Sequence, residues 1–172
     1  MSLMTFQPSP SRGVTLIELL VAMVIIAIGV LGVAGLQAVS LKQARDAGQK
    51  MMALQAANDL VDRIRLNNGA TYAWNSSSTV SAGTASNCLS ASCGTSELAA
   101  YDLVYWACRL GAPNATCTNS YGLTDVEYDR LPNASGTVTR IVSGSSVSYT
   151  VQIEWSTSDK ADQQIAVTAR VQ

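Results

Sequence analysis

The stretch Ser11–Ser40, "SRGVTLIELLVAMVIIAIGVLGVAGLQAVS", decides how the rest of the chain is read. From Leu19 to Leu36 it holds eighteen consecutive residues drawn only from Leu, Val, Ala, Met, Ile and Gly. As a helix that run is about 27 Å long, close to the ~30 Å hydrocarbon core of a bilayer. A secretory signal peptide has a shorter apolar region, about 7 to 15 residues, closed by a small-residue cleavage site. Here the run ends in "LQAVSLKQ" without such a site. A bare membrane anchor fits the length and leaves Glu18 unexplained. An acidic side chain within a membrane helix costs about 2.5 to 3.5 kcal/mol at the centre and less at an interface, so leucine would anchor better. A carboxylate kept there implies a cationic partner. A free α-amino group, made by a cut just upstream, is the nearest candidate.

"RG" followed by "VTLIELLVAMVIIAIGVLG" closely resembles the class III signal of type IV pilins and type II secretion pseudopilins. The resemblance implies a leader, residues 1–13, ending at Gly13, which prepilin peptidase cuts and whose new first residue, Val14, it methylates. Glu18 is then the fifth residue of the mature chain, where the family carries glutamate. Val14 departs from the usual Phe or Met. The implied role of Glu18 is to meet the positive N-terminus of a neighbouring subunit, in a low-dielectric helix bundle where that attraction is strong.

Gly29, Gly32 and Gly35 recur every third residue. In a soluble helix each costs about 1 kcal/mol relative to Ala. Two readings stand: close packing of helices inside the membrane, or a weak segment that bends or melts in a filament, since pilins commonly carry proline near this position.

The totals narrow the function further. Eleven Lys and Arg against twelve Asp and Glu leave a formal charge of −1, so the 172-residue chain offers no basic footprint for nucleic acid. The chain has no histidine, which removes the commonest general base and metal ligand and every Ser–His or Cys–His pair. No paired carboxylates or phosphate cradle replace them. The expectation is a non-enzymatic protein with no catalytic residues, no metal and no cofactor.

Beyond the greasy run the helical signal continues. Residues 14–36 form the membrane or filament-core half of one helix and residues 37–67 an amphipathic half. Ala47, Met51, Leu54, Ala57, Val61 and Ile64 draw its apolar stripe, and "NNG" at Asn67–Gly69 stops it. Residues 68–172 are the head. Within it, residues 70–135 are the least regular part: "WNSSSTVSAGTASNCLSASCGTS" is a small-residue loop expected to bury little, and "SELAAYDLVYWACRLG" forms a short helix with Ser96 as cap and Gly111 as stop. Residues 136–172 hold "GTVTRIV", "SVSYTVQIEW" and "QQIAVTARV", of which the last two alternate with period two. Laid as an antiparallel sheet of three to four strands on the helix stripe, they give an α+β architecture, the type IV pilin fold.

The four cysteines fall at 88, 93, 108 and 117. Their spacing is poor for zinc, and a head delivered across the membrane lies in an oxidising compartment, so two disulfides are expected. Of the three possible pairings the local one, Cys88–Cys93 with Cys108–Cys117, is favoured. Asp125, Glu127 and Asp129 alternate like the start of a calcium loop, but Arg130 and Gly136 stand where such a loop needs glycine and glutamate. A solvated acidic loop is the reading. The Asn75, Asn114 and Asn133 sequons follow from an Asn, Ser and Thr-rich composition and indicate loops.

Among pilins, "AIGVLGVAGLQ", "DLVDRIRLNNGATY" and "LPNASGTVTR" with "YTVQIEWSTSD" resemble minor pilins of the pilus modification group. The resemblance implies a structural subunit of pilus assembly and priming, with effects on surface piliation and twitching motility. Its partners would be the major pilin, other minor pilins, prepilin peptidase and the inner-membrane assembly platform. It would be a single-pass inner-membrane protein with a periplasmic head before assembly and a pilus component afterwards. The rival readings are a pseudopilin of a type II secretion system and an adhesin-type head on a pilin stalk, its site in the loops at 70–95 and 111–135.

Overall fold

The computed structural model describes residues 13–75, 87–111, 131–157 and 160–171. The expected leader, Cys117 and the Asp125–Asp129 cluster lie outside the described residues. Two compact units make up the chain, Met1–Arg45 and Asp46–Gln172.

One helix, α1 (Leu16–Leu66), enters both units. It opens where the Thr15 carbonyl accepts the N–H groups of Glu18 at 3.1 Å and Leu19 at 3.2 Å. Glu18 in the first turn and Arg63 and Arg65 in the last complement the helix dipole. In the first unit every described residue is exposed. The run there is long and apolar enough to cross a membrane and none of it is buried within the chain. A helix greasy on all sides that no described residue covers needs surroundings supplied by something else.

The second unit is built on the last turns of α1. Ala53, Ala57, Leu60, Val61 and Ile64 fall at helical spacing on one face and enter the main core. The expected stripe is corrected here. Ala57, Val61 and Ile64 are in the core, but Ala47, Met51 and Leu54 face solvent, and Ala53 and Leu60 take their place.

The strands are β1 (Trp74–Asn75), β2 (Ser135–Ser143), β3 (Ser146–Thr157) and β4 (Lys160–Arg170), in the order β1-β2-β3-β4 and antiparallel throughout. The architecture is therefore α+β, a long N-terminal helix packed on a four-stranded antiparallel sheet. Val138, Tyr149, Val151, Ile153, Trp155 and Ala169 alternate onto the inner face, as period two requires. Ile141, the residue that breaks the alternation of "GTVTRIV", is exposed.

Trp74, in the loop expected to bury little, is buried with Tyr72 two residues before it, and the expected short helix adds Trp106. Tyr72 and Trp106 are fully buried and Trp74 is nearly so. Helix α2 (Thr95–Leu110) presents Ala99, Leu103, Trp106, Ala107 and Leu110 to the main core. Its cap is Gly94 rather than Ser96: the Glu97 carboxylate accepts the Gly94 N–H at 2.9 Å, half of a capping box, since glycine has no side chain for the other half. Gly111 ends it in the left-handed region, φ 74°, as expected.

Gly136 is dictated by close approach. A Cβ there would sit 2.5 Å from Trp106 Cη2, 2.7 Å from Cζ3 and 3.1 Å from Leu110 Cδ1. Gly136→Ala is expected to destabilise the head by about 2 to 3 kcal/mol, because neither buried side chain has room to retreat. Gly69→Ala, whose nearest neighbour is 4.0 Å away, is the control and should change stability by under about 0.5 kcal/mol in urea unfolding.

Candidate functional site

The sequence points to two places, the N-terminal signal and the disulfide-bearing region. The structure adds a third, a polar latch inside the head.

In the signal, Gly13 and Val14 precede α1 and Glu18 sits in its first turn, with Val14 exposed. The helix runs unbroken through Gly29, Gly32 and Gly35, and a Cβ at any of the three would meet nothing within 4 Å. The three glycines thus leave shallow, bare stretches of helix surface into which another helix can pack closely.

Cys88 and Cys93 are disulfide-bonded, with Cα atoms 5.6 Å apart. The bond closes a small loop directly before Gly94, the cap of α2. Cys108, buried on α2, is also disulfide-bonded. Its expected partner, Cys117, lies outside the described residues. A loop this short contributes about 2 kcal/mol in the chain-entropy view.

The latch joins α1, α2 and the segment leading to β1. Asp102 of α2, with a side chain 5% exposed, accepts from Arg63 Nη1 at 2.9 Å and from the Tyr72 hydroxyl at 2.8 Å. Asn67 Nδ2 donates to the Tyr72 oxygen at 3.0 Å and to the Thr95 carbonyl at 2.8 Å. Arg63 also reaches Asp59 at 3.2 Å and lies over the Tyr105 ring, 4.5 Å from its centroid. Trp106 Nε1 donates to the Ala56 carbonyl at 2.9 Å, and the Tyr149 hydroxyl donates to the Ala70 carbonyl at 3.2 Å.

Burial is the main cause that pushes the Tyr72 phenol well above its ordinary value, and the Asp102 carboxylate adds to it. Burial works against the Arg63 cation, yet Asp102 and Asp59 outweigh it and raise its pKa. Both shifts lead away from neutrality, so neither Tyr72 nor Arg63 is poised to exchange a proton there. Among the described residues no group of three or more His, Cys, Asp or Glu could hold a metal ion. The arrangement does mechanical work: it fixes the end of α1 to α2.

Sequence reading missed this latch. One signal was available, the lone acid in "AAYDLVYWA", because a charge with apolar neighbours on both sides of a helix is buried against a partner.

Comparison with known families agrees with the geometry. Residues 8–34 match the prokaryotic N-terminal methylation motif, a stretch that includes Gly13, Val14, Glu18 and most of the apolar run. Residues 35–104 match the family described as Tt1218-like, type IV pilin Tt1218. No curated protein and no solved structure matches the chain. Over these two adjoining stretches the chain is similar to type IV pilins, and it has a prepilin-type N-terminal motif. Pilins are structural subunits, and the chain is pilin-like.

Proposed function

We propose that the chain is a minor pilin, a structural subunit that takes part in assembling and priming a type IV pilus and so in surface piliation and twitching motility. One observation carries the reading: Glu18 is the single charge at the head of an apolar helix that no described residue covers, five places after Gly13. In the membrane the lipid covers that helix. After cleavage, neighbouring helices replace the lipid and the α-amino group of one chain meets Glu18 of another. Gly29, Gly32 and Gly35 suit that close packing.

The subfamily resemblance favours the modification group often named PilV. Its partners would be the major pilin, other minor pilins, prepilin peptidase and the inner-membrane platform, with the head on the periplasmic side. In the rival assignment the same signal serves a type II secretion machine.

The test is processing followed by phenotype. The chain recovered from membranes should begin at methylated Val14, and Gly13→Asp should leave it beginning at Met1. A product that keeps Met1 without any substitution overturns the proposal. Deleting the chain should reduce surface filaments and twitching with extracellular enzyme secretion intact, whereas lost secretion with normal piliation assigns it to the secretion machine.

A further inference from the structure

Asn68 is the only asparagine of the chain with glycine after it. The pair sits just past Leu66, where α1 has ended. The Ala70 N–H donates to the Asn67 carbonyl at 3.1 Å, which closes a turn with Asn68 and Gly69 at its two central positions. Both central residues are exposed. Among the described residues, neither the Asn68 side chain nor the Gly69 N–H makes a hydrogen bond. Nothing therefore holds the Asn68 amide away from the next main-chain nitrogen, and that nitrogen has no bond to give up.

This arrangement has a chemistry of its own. An asparagine side chain can close a five-membered ring on the nitrogen that follows it, and a glycine there brings no Cβ to crowd the approach. The Gly69 nitrogen, losing its proton, forms a bond to Asn68 Cγ. The Cγ–Nδ2 bond breaks, and ammonia leaves with that proton. Water then opens the succinimide. Opening at Cγ leaves aspartate, whereas opening at the main-chain carbonyl leaves isoaspartate, whose chain runs through Cβ and Cγ. In sum, one amide and one water become one carboxylate and one ammonium ion, with no oxidant or cofactor.

Other asparagines lack the combination. Asn67 is buried, its Nδ2 is held by the Tyr72 oxygen and the Thr95 carbonyl, and a residue with a side chain follows it. Asn58 lies inside α1, where the helical ladder engages the next N–H. Asn133 donates to Ser156 and precedes Ala134.

We propose that Asn68–Gly69 is a self-modification site, converting in water to isoaspartate and aspartate, and that the change loosens the polar latch of the head. The turn is pinned on both sides. Asn67 before it holds Tyr72 and Thr95, and the Ala70 carbonyl after it accepts the Tyr149 hydroxyl at 3.2 Å. Isoaspartate adds one atom to the main chain between these anchors, so one of them has to shift. Either product also puts a carboxylate just past the C-terminal end of α1, where the helix dipole is already negative. Conversion advances with time, so its extent records the age of each copy. The inference does not depend on the function proposed above.

The test is ageing of the purified full chain in detergent at neutral pH, followed by mass spectrometry. Isoaspartate is detected by enzymatic carboxyl methylation. Asn68, localised by fragmentation, should gain one mass unit about tenfold faster than Asn58, Asn67 or Asn133, with isoaspartate as the major product. Gly69→Ala has room, its nearest neighbour being 4.0 Å away, and should slow the gain about tenfold or more with the urea midpoint of the fresh protein unchanged. Asn68→Gln keeps an amide but needs a larger ring, and should abolish the gain. The aged parent should unfold at lower urea than the fresh one, and aged Gly69→Ala should not. Asn68→Asp carries the charge without the added atom and should shift the midpoint less. Gain at Asn68 no faster than at the other three, or equally fast in Gly69→Ala, overturns the site. An aged, isoaspartate-bearing parent with an unshifted midpoint overturns its link to the latch.

Discussion

Glu18→Ala is expected to lower the chain's share of sheared surface filaments about tenfold or more, with membrane insertion and cleavage after Gly13 unchanged. The argument is one of charge. Two unit charges 4 Å apart attract by about 4 kcal/mol at an effective dielectric constant of 20. In the proposed filament, alanine removes the acid and leaves a neighbour's α-ammonium facing an apolar bundle. Losing even a third of that attraction changes an equilibrium about tenfold. Glu18→Asp should recover part of the loss, since the charge stays but its reach shortens. Immunoblots of membrane and sheared fractions measure both quantities. Equal incorporation of the alanine variant would remove Glu18 from assembly.

Asp102→Ala is expected to destabilise the head by about 3 kcal/mol, a shift that urea unfolding resolves easily. Removing one partner of a buried pair costs about 3 to 5 kcal/mol because the other charge is left without compensation. Arg63 keeps 28% side-chain exposure and its second contact with Asp59, which places the loss at the low end. Tyr72 loses the acceptor of its hydroxyl at the same time. Asp102→Asn keeps one acceptor and should lose about half as much. Arg63→Met combined with Asp102→Leu should recover much of the loss, since an apolar pair of similar volume carries no desolvation cost. The exposed Asp62–Arg65 pair gives the contrast: Asp62→Ala should cost under about 0.5 kcal/mol.

Where one periodicity dominates a long stretch, the sequence was readable. The helix expected over residues 14–67 is found at Leu16–Leu66, two of the expected strands lie inside β2 and β3, and the third matches β4 to within one residue at its end. The Cys88–Cys93 bond was readable because a five-residue separation leaves little choice of geometry. The helix stripe was half readable: Ala57, Val61 and Ile64 are core, but Ala47, Met51 and Leu54 are exposed while Ala53 and Leu60 are buried, because spacing by threes and fours fits more than one line of residues along the same helix. The short helix expected in 96–111 is found at Thr95–Leu110, but what it and residues 70–75 contribute to the core was not legible. Tyr72, Trp74 and Trp106 are single large side chains in stretches without a long period, and only the tertiary arrangement shows that they converge. The latch depends on contacts as far apart in the chain as Arg63 and Asp102, which no local pattern encodes.

All three tryptophans of the chain, Trp74, Trp106 and Trp155, belong to the head, and all three are buried. Trp74 and Trp106 meet edge to face with ring centroids 5.7 Å apart. The anchoring half of α1 contains none. Intrinsic fluorescence excited at the red edge of indole absorption therefore reports on one unit alone, even in detergent or vesicles. The coupled pair adds a near-ultraviolet circular dichroism signal that vanishes when β1 and α2 separate. The molecule thus carries its own optical gauge of head integrity, blind to whatever surrounds the greasy end.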